Sequence, residues 1–283
     1  MPGKPNFIYI GPDKAGSSWL HEVLLRHPQI FLSPAKDLYF FDRYYDRGIA
    51  WYLRQFDDAG PEHLVVGEVC QDYLFHPEAP QRIADSLGSC RMMVTLRDPA
   101  DRAFSSYLYM LRSGWEPGTF LQALDRQPML LEHGSYATAL ERFTERFGRH
   151  QIHVAVFDDL VADPQAFVDA LTSWLDVRSI TLSPALLQAR LPAGRARSVL
   201  LSRLASGGAA IVRERDGANL VGRVKRSPLV QRALYRPLTT DKPTMSGEER
   251  SAVQVALADE VAQLDRVYGL DLARRWGWPI GDS

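Results

Sequence analysis

The apolar run Phe7-Ile8-Tyr9-Ile10 stops at Gly11, and a helical pattern of Trp19, Leu20, Val23 and Leu24 begins shortly after Gly16-Ser17-Ser18. Four consecutive apolar residues are too few for a helix. They also lack the alternation of a half-exposed strand, so they read as a strand buried on both faces. The unit recurs along the chain. Leu64 to Val69 precedes a helix over 79–87, Met92 to Leu96 precedes a helix that starts at Pro99, and Ile152 to Val156 precedes a helix over 164–175. Proline suits a helix's first turn, where its missing N–H costs nothing. The serines before Trp19 are expected to cap the first helix and Pro28 to close it. Leu140, Phe143 and Phe147 share one face of a helix over 136–147, and an amphipathic helix over 246–268 has Glu248-Glu249 in its first turn. Strands that alternate with helices predict a parallel sheet covered on both faces.

Composition narrows the function. The 283 residues, 46% hydrophobic, suffice for one large domain over 1–283. A net charge of −1 argues against a nucleic-acid-binding protein. Two cysteines, Cys70 and Cys90, can form neither a disulfide framework nor a four-cysteine zinc site, and their apolar surroundings predict buried thiols. The histidines 21, 27, 63, 76, 133, 150 and 153 show no metal-ligand spacing, so surface or capping roles are expected and no metal is required. No basic-then-apolar leader and no run of about 18 apolar residues is visible, which points to a cytoplasmic protein without membrane insertion. Charge is nevertheless segregated. The stretch 188–242 holds 12 Lys/Arg against 3 Asp/Glu. It reads either as a solvated basic segment or as a flap that faces an anion.

The first candidate site is the loop Gly11-Pro12-Asp13-Lys14-Ala15-Gly16-Ser17-Ser18. A loop that enters a helix offers unpaired N–H groups and the positive end of the helix dipole, where phosphate binds readily. Gly16 lets the backbone approach an anion, the serines add hydroxyl donors, and Lys14 adds a full charge. Gly11 and Gly16 have the separation of the nucleotide-triphosphate P-loop, but Ser17 stands where that loop has lysine, and Lys14 lies two residues before the second glycine. A P-loop-like α/β sandwich of three layers, with a metal-free phosphate cradle, is therefore expected.

The second candidate site is Leu96-Arg97-Asp98-Pro99, followed by Arg102 and Ser105. Arg97 ends a strand, where ligands bind in open α/β sheets. One guanidinium and the Ser105 hydroxyl can hold a second phosphate. Arg102 is expected to pair with Asp98 one turn earlier.

Together these segments resemble the sulfotransferases that use 3′-phosphoadenosine 5′-phosphosulfate (PAPS) and release 3′,5′-ADP (PAP). Ala35-Lys36-Asp37-Leu38-Tyr39-Phe40-Phe41-Asp42, then Gly48 and Trp51-Tyr52, are similar to a stretch of the heparan sulfate group and its bacterial relatives. Gly67-Glu68-Val69-Cys70-Gln71-Asp72-Tyr73 is similar to their G-E-K-T-P-x-Y strand end, with Val69 in place of lysine. The likeness is good over 5–175, moderate over 241–276 and poor between.

The resemblance implies that Lys14 contacts the phosphosulfate and that Ala15, Gly16, Ser17, Ser18 and Trp19 bind the 5′-phosphate. Trp19 is either an adenine-stacking ring or a core residue. Arg97 and Ser105 would bind the 3′-phosphate, and Arg195 and Arg197 are the nearest match to a basic loop that covers the donor. Asp37 stands where relatives carry a catalytic glutamate.

Sulfuryl transfer depends on positioning and on stabilising the leaving phosphate oxygen, and an acceptor hydroxyl needs a base. Asp37 is the first choice, with Glu68 and Asp42 as alternatives. Asp37 could instead be a turn residue, and Glu68 a buried carboxylate paired with Arg97. The acceptor implied is a hydroxyl or amine of a sugar-containing or small molecule. The competing functions are a P-loop-fold phosphotransferase and a non-catalytic nucleotide sensor.

Overall fold

The computed structural model describes residues 3–188, 195–196, 235–236 and 243–279. The first half contains β1 (Phe7–Gly11), α1 (Ser17–Leu24), β2 (Ile30–Leu32), α2 (Ile49–Leu53), β3 (Val65–Val69), α3 (Ala79–Leu87), β4 (Arg91–Leu96) and α4 (Pro99–Arg112). Then come α5 (Phe120–Arg126), α6 (Met129–Glu132), α7 (Tyr136–Phe147), β5 (Ile152–Val156), α8 (Phe157–Ala162), α9 (Pro164–Trp174) and α10 (Pro184–Gln188). A two-residue pair, β6 (Arg195–Ala196) and β7 (Tyr235–Arg236), is antiparallel, and α11 (Gly247–Tyr268) and α12 (Leu272–Arg275) follow. Most of the 188–242 stretch, Arg197 included, lies outside the described residues.

Five strands form one parallel sheet in the order β2-β3-β1-β4-β5. The chain builds one side of β1 first and then crosses to the other. The switch point therefore lies between β1 and β4, and ligands of open α/β sheets bind in the crevice beyond such strand ends. Every residue of β1 and β3 is buried, as helices on both faces require. Alternate strand residues feed two cores. Phe7, Tyr9 and Met93 pack with Leu20 and Val23 of α1 and Val168 and Leu171 of α9. Ile8, Ile10, Met92 and Val94 pack with Ile83 of α3, Ala103 of α4, Phe143 of α7 and Val261 of α11. This is the expected three-layer sandwich.

Three local expectations change. Strand β2 was not foreseen, because Ile30–Leu32 is three residues long and lies between Pro28 and Pro34. Helix α1 is not capped by serine. Gly16 is its N-cap, at φ 86°, with no side-chain cap, and Ser17 already belongs to the helix. His21 and His27 are buried rather than at the surface, bonded to the carbonyl oxygens of Ser33 (3.0 Å) and Arg178 (2.7 Å), though His27 also caps a turn by accepting from the Gln29 amide at 3.1 Å. His63 and His76 do cap turns, accepting from the amides of Gly60 and Glu78. Ser246 and Glu249 form a reciprocal capping box on α11. Both cysteines are buried and free. Among the described residues no helix is long and apolar enough to cross a membrane, and no group of three or more His, Cys, Asp or Glu could hold a metal ion.

Gly67 allows the sheet to close beside β1. A Cβ there would lie 2.0 Å from the Phe7 carbonyl oxygen. Gly67→Ala is expected to cost about 1–3 kcal/mol through forced backbone displacement, read as a lower urea midpoint with an unchanged slope. An unchanged midpoint would contradict this packing.

Candidate active site

The loop after β1 and the end of β4 meet at the switch point. Gly16 is a requirement, since its left-handed backbone disfavours any side chain and a Cβ would sit 2.6 Å from Leu160 Cδ2. The first-turn amides of α1 have no helical acceptor. Ser17 is buried and Ser18 exposed at that helix end. Trp19 points the other way. It is 4% exposed, donates from Nε1 to the Leu186 carbonyl at 2.9 Å, and meets Phe167 edge-on. The ring is packed in the core with Phe167 and Leu186.

Arg97 reaches back from β4 and donates through Nη1 to the Lys14 carbonyl at 2.6 Å, with its guanidinium 4.8 Å from the Phe157 ring centroid. Ser105 is half-buried on α4, and its neighbour Ser106 faces inward. Lys14 adopts φ 60°, and its Nζ lies 3.7 Å from the ring centroid of Tyr109, which is itself exposed. Burial lowers the proton affinity of both Lys14 and Arg97. Two cations thus stand partly desolvated beside an open helix N-terminus, an electrostatic setting that favours an anion.

Asp13 organises the loop. Its carboxylate accepts from Arg102 Nη1 at 3.0 Å and Ser106 Oγ at 2.7 Å. Arg102, 1% exposed, also donates to the Leu130 carbonyl. Burial alone would raise the Asp13 pKa, but His133, Arg102 and Ser106 outweigh it and hold the carboxyl well below the usual range. The expected Arg102–Asp98 pair is absent. Asp98 instead caps α4 by accepting from the Ala100 amide at 2.9 Å, and it pairs with Arg250 of α11 at 2.6 Å. Asp13 was passed over in the sequence because its partners lie 89 and 93 residues away.

The second half-site lies beyond β3. Asp37, at φ 60°, donates its amide to the Val69 carbonyl at 2.9 Å. Both its carboxylate oxygens accept from Lys36 Nζ at 2.8 Å, and Oδ1 also accepts from the Gln71 amide at 3.2 Å. Asp42, whose pKa burial raises, and Asp72, pushed up to about 6 chiefly by burial, share Arg43. These three residues, with Phe75, Glu132, His133 and Arg142, line a cleft of about 510 Å³.

Glu68 is sealed off from this cleft. It is fully buried, and its Oε1 accepts from Tyr52 (2.8 Å) and Tyr73 (3.0 Å) rather than from Arg97. It cannot reach an acceptor as a base, which corrects that alternative. Burial pushes its pKa up to about 8, and its Oε2 has no hydrogen-bond partner.

The loop after β1 thus offers an open helix N-terminus beside two partly desolvated cations, and the cleft beyond β3 is lined by Asp42 and Asp72. The profile of the sulfotransferase domain matches residues 4–184, and this chain belongs to that family. It is 30% identical over 188 residues to human heparan sulfate glucosamine 3-O-sulfotransferase 3B1, covering 62% of this chain and 47% of that protein. It is 33% identical over 110 residues to the membrane-associated sulfotransferase kil1 of Dictyostelium discoideum, covering 38% and 23%. The chain thus spans less than half the length of either relative. A sulfotransferase from Alicyclobacillus acidocaldarius superposes with a TM-score of 0.57 at 26% identity, over 81% of this chain and 98% of that one. Mouse sulfotransferase SULT7A1, solved with PAP, shares the fold, with a TM-score of 0.52 at 15% identity over 97% of this chain and 88% of that one.

Two outcomes test this geometry. Arg102→Leu leaves Asp13 as a buried unpaired charge and is expected to cost about 3–5 kcal/mol, measured by urea unfolding at neutral pH; a cost under about 1 kcal/mol would contradict the pairing. Glu68 binds its proton more tightly folded than unfolded. Its contribution to stability is complete below pH 4.5 and is lost as pH rises towards about 8. Glu68→Gln should remove that part of the pH slope in melts taken from pH 4.5 to 8.5; an unchanged slope would show that Glu68 ionises freely in the fold.

Proposed function

We propose that this chain is an enzyme that moves a sulfuryl group from PAPS to a hydroxyl or amine of a sugar-containing or small-molecule acceptor, releasing PAP. The observation that carries the reading is the meeting, at one switch point, of the Gly16 helix N-terminus, Lys14, and Arg97, which bonds the Lys14 carbonyl. Family membership supports it, and a solved neighbour of the same fold holds PAP. The Ala15, Gly16, Ser17, Ser18 and Trp19 amides and the serine hydroxyls bind the donor's 5′-phosphate. Arg97 and Ser105 bind its 3′-phosphate, which a guanidinium fork suits. Arg195 and Arg197 are assigned to the same anion on charge alone. Lys14 leaves the Tyr109 ring to stabilise the bridging oxygen as it takes up charge.

The acceptor enters through the carboxylate-lined cleft and attacks sulfur in line, opposite the leaving oxygen. Relatives named for heparan sulfate glucosamine make an amino-sugar hydroxyl or amine the first acceptor to offer. Asp37 and Asp42 are the acceptor-side carboxylates. Asp37 orders Lys36 and the Gln71 amide beside the reacting atoms.

The test is acceptor-dependent formation of PAP from PAPS, with amino-sugar glycosides offered and chelator present. Arg97→Ala is expected to raise the donor KM about 10–100-fold, since it removes charge-assisted bonds of about 1.5–3 kcal/mol. Asp37→Asn is expected to lower kcat about 10²-fold, through misplaced reacting groups, with PAP affinity intact. Turnover of magnesium ATP, with PAPS inert, would overturn the reading in favour of a phosphotransferase.

A further inference from the structure

The cleft wall formed by α6 and the turn after β3 carries a group that the account above leaves unused. His133 directly follows α6, and its imidazole lies flat on Phe75, with ring centroids 4.3 Å apart and planes 6° from parallel. The stack sets the plane of the ring. Its Nδ1 is buried, makes no hydrogen bond, and lies 3.7 Å from Asp13 Oδ1. Asp13 cannot follow the ring, because Arg102 and Ser106 hold it. The imidazole also lines the cleft that contains Asp42 and Asp72, and no described residue hydrogen-bonds its Nε2. The charged groups around it are Asp13, with Arg102 behind; Asp72, whose own titration His133 influences; and Glu132 next to it in the chain.

This arrangement suits a proton acceptor. An imidazole takes a proton at one nitrogen, while a carboxylate behind the other nitrogen fixes the tautomer and stabilises the cation that forms. Contacts that are long in a free enzyme tighten in its complexes. Asp37 is differently placed, with both oxygens committed to Lys36 and one also to the Gln71 amide. It is a carboxylate used to hold a neighbouring cation, whereas the imidazole of His133 lines the cleft.

We propose that His133, backed by Asp13, is a catalytic residue of the acceptor half-site and takes the proton of the attacking hydroxyl or amine. The inference rests on the sulfuryl-transfer reading. The acceptor oxygen or nitrogen forms a bond to sulfur, and the bond from sulfur to the donor's bridging oxygen breaks. The electron pair leaves with PAP beside Lys14, and the acceptor's proton ends on Nε2. Asp13 thereby serves both halves, since it precedes Lys14 in the donor loop and faces the imidazole across the cleft wall.

The experiment measures PAP formation from PAPS with two probes as acceptor, water and a 4-nitrophenyl glucosaminide, alongside titration with PAP. His133→Ala is expected to lower kcat by about 10²-fold while binding PAP as the wild type does. Added imidazole should return part of the lost rate to this variant and none to Asp37→Asn. His133→Phe keeps a ring on Phe75 without the base, so it should melt like the wild type, stay inactive and gain nothing from imidazole. A His133→Ala rate within about threefold of wild type would overturn the proposal. So would a loss that imidazole leaves untouched. Failure of the wild type to bind PAP would instead overturn the sulfuryl-transfer reading, and this inference with it.

Discussion

The ion pair between Asp13 and Arg102 ties together the two strand ends, of β1 and β4, that carry the loop of Lys14 and Gly16 and the helix of Ser105. Arg102 comes from α4, the helix that follows β4, and Asp13 from the loop that follows β1. Two strand ends that the sheet merely places side by side are thereby locked into one rigid surface. Taking both charges out of water is expensive, and such a pair is tolerated only when its remaining hydrogen-bonding capacity is used. Ser106 and the Leu130 carbonyl supply most of it. The pair therefore contributes positional precision more than stability. It fixes the loop from which Lys14 and Gly16 project, and Arg97 adds a second tie to the Lys14 carbonyl.

The electrostatic design follows from this frame. Neither Lys14 nor Arg97 has a carboxylate partner close enough to form an ion pair among the described residues, and both are partly stripped of water. The carboxylates are grouped instead on the far side, at Asp37, Asp42 and Asp72. On the proposed reading, an anionic donor is drawn to one side of the crevice, and groups that order or deprotonate an acceptor occupy the other. Glu68 is buried at the end of β3 and braces it by accepting from Tyr52 and Tyr73, and burial raises its pKa.

Much of this was legible in the sequence where local physics decides. Strands β1, β3, β4 and β5 are short apolar runs because each is covered on both faces, and the Gly16 loop and Arg97 stand out by lying at strand ends. Other features depend on distance. Arg102 was assigned to Asp98 because an i, i+4 partner is the local default, yet the fold offered it a buried carboxylate 89 residues away. Glu68 found two tyrosines where an arginine was expected. The core packing of Trp19 depends on α10, which supplies the Leu186 carbonyl for its indole. Strand β2 carries too few residues for any periodicity to register.

The most direct measurement is calorimetric titration of the purified protein with PAP, set against 5′-AMP and magnesium ATP. A cradle built on Gly16 and Lys14 with Arg97 and Ser105 at the neighbouring strand end should bind PAP in the micromolar range, corresponding to about −8 kcal/mol. Affinity for 5′-AMP should be far weaker, since it lacks the 3′-phosphate, and magnesium ATP should give no signal. Equal affinity for PAP and 5′-AMP would remove Arg97 and Ser105 from donor recognition, and binding of magnesium ATP alone would contradict the account at its centre.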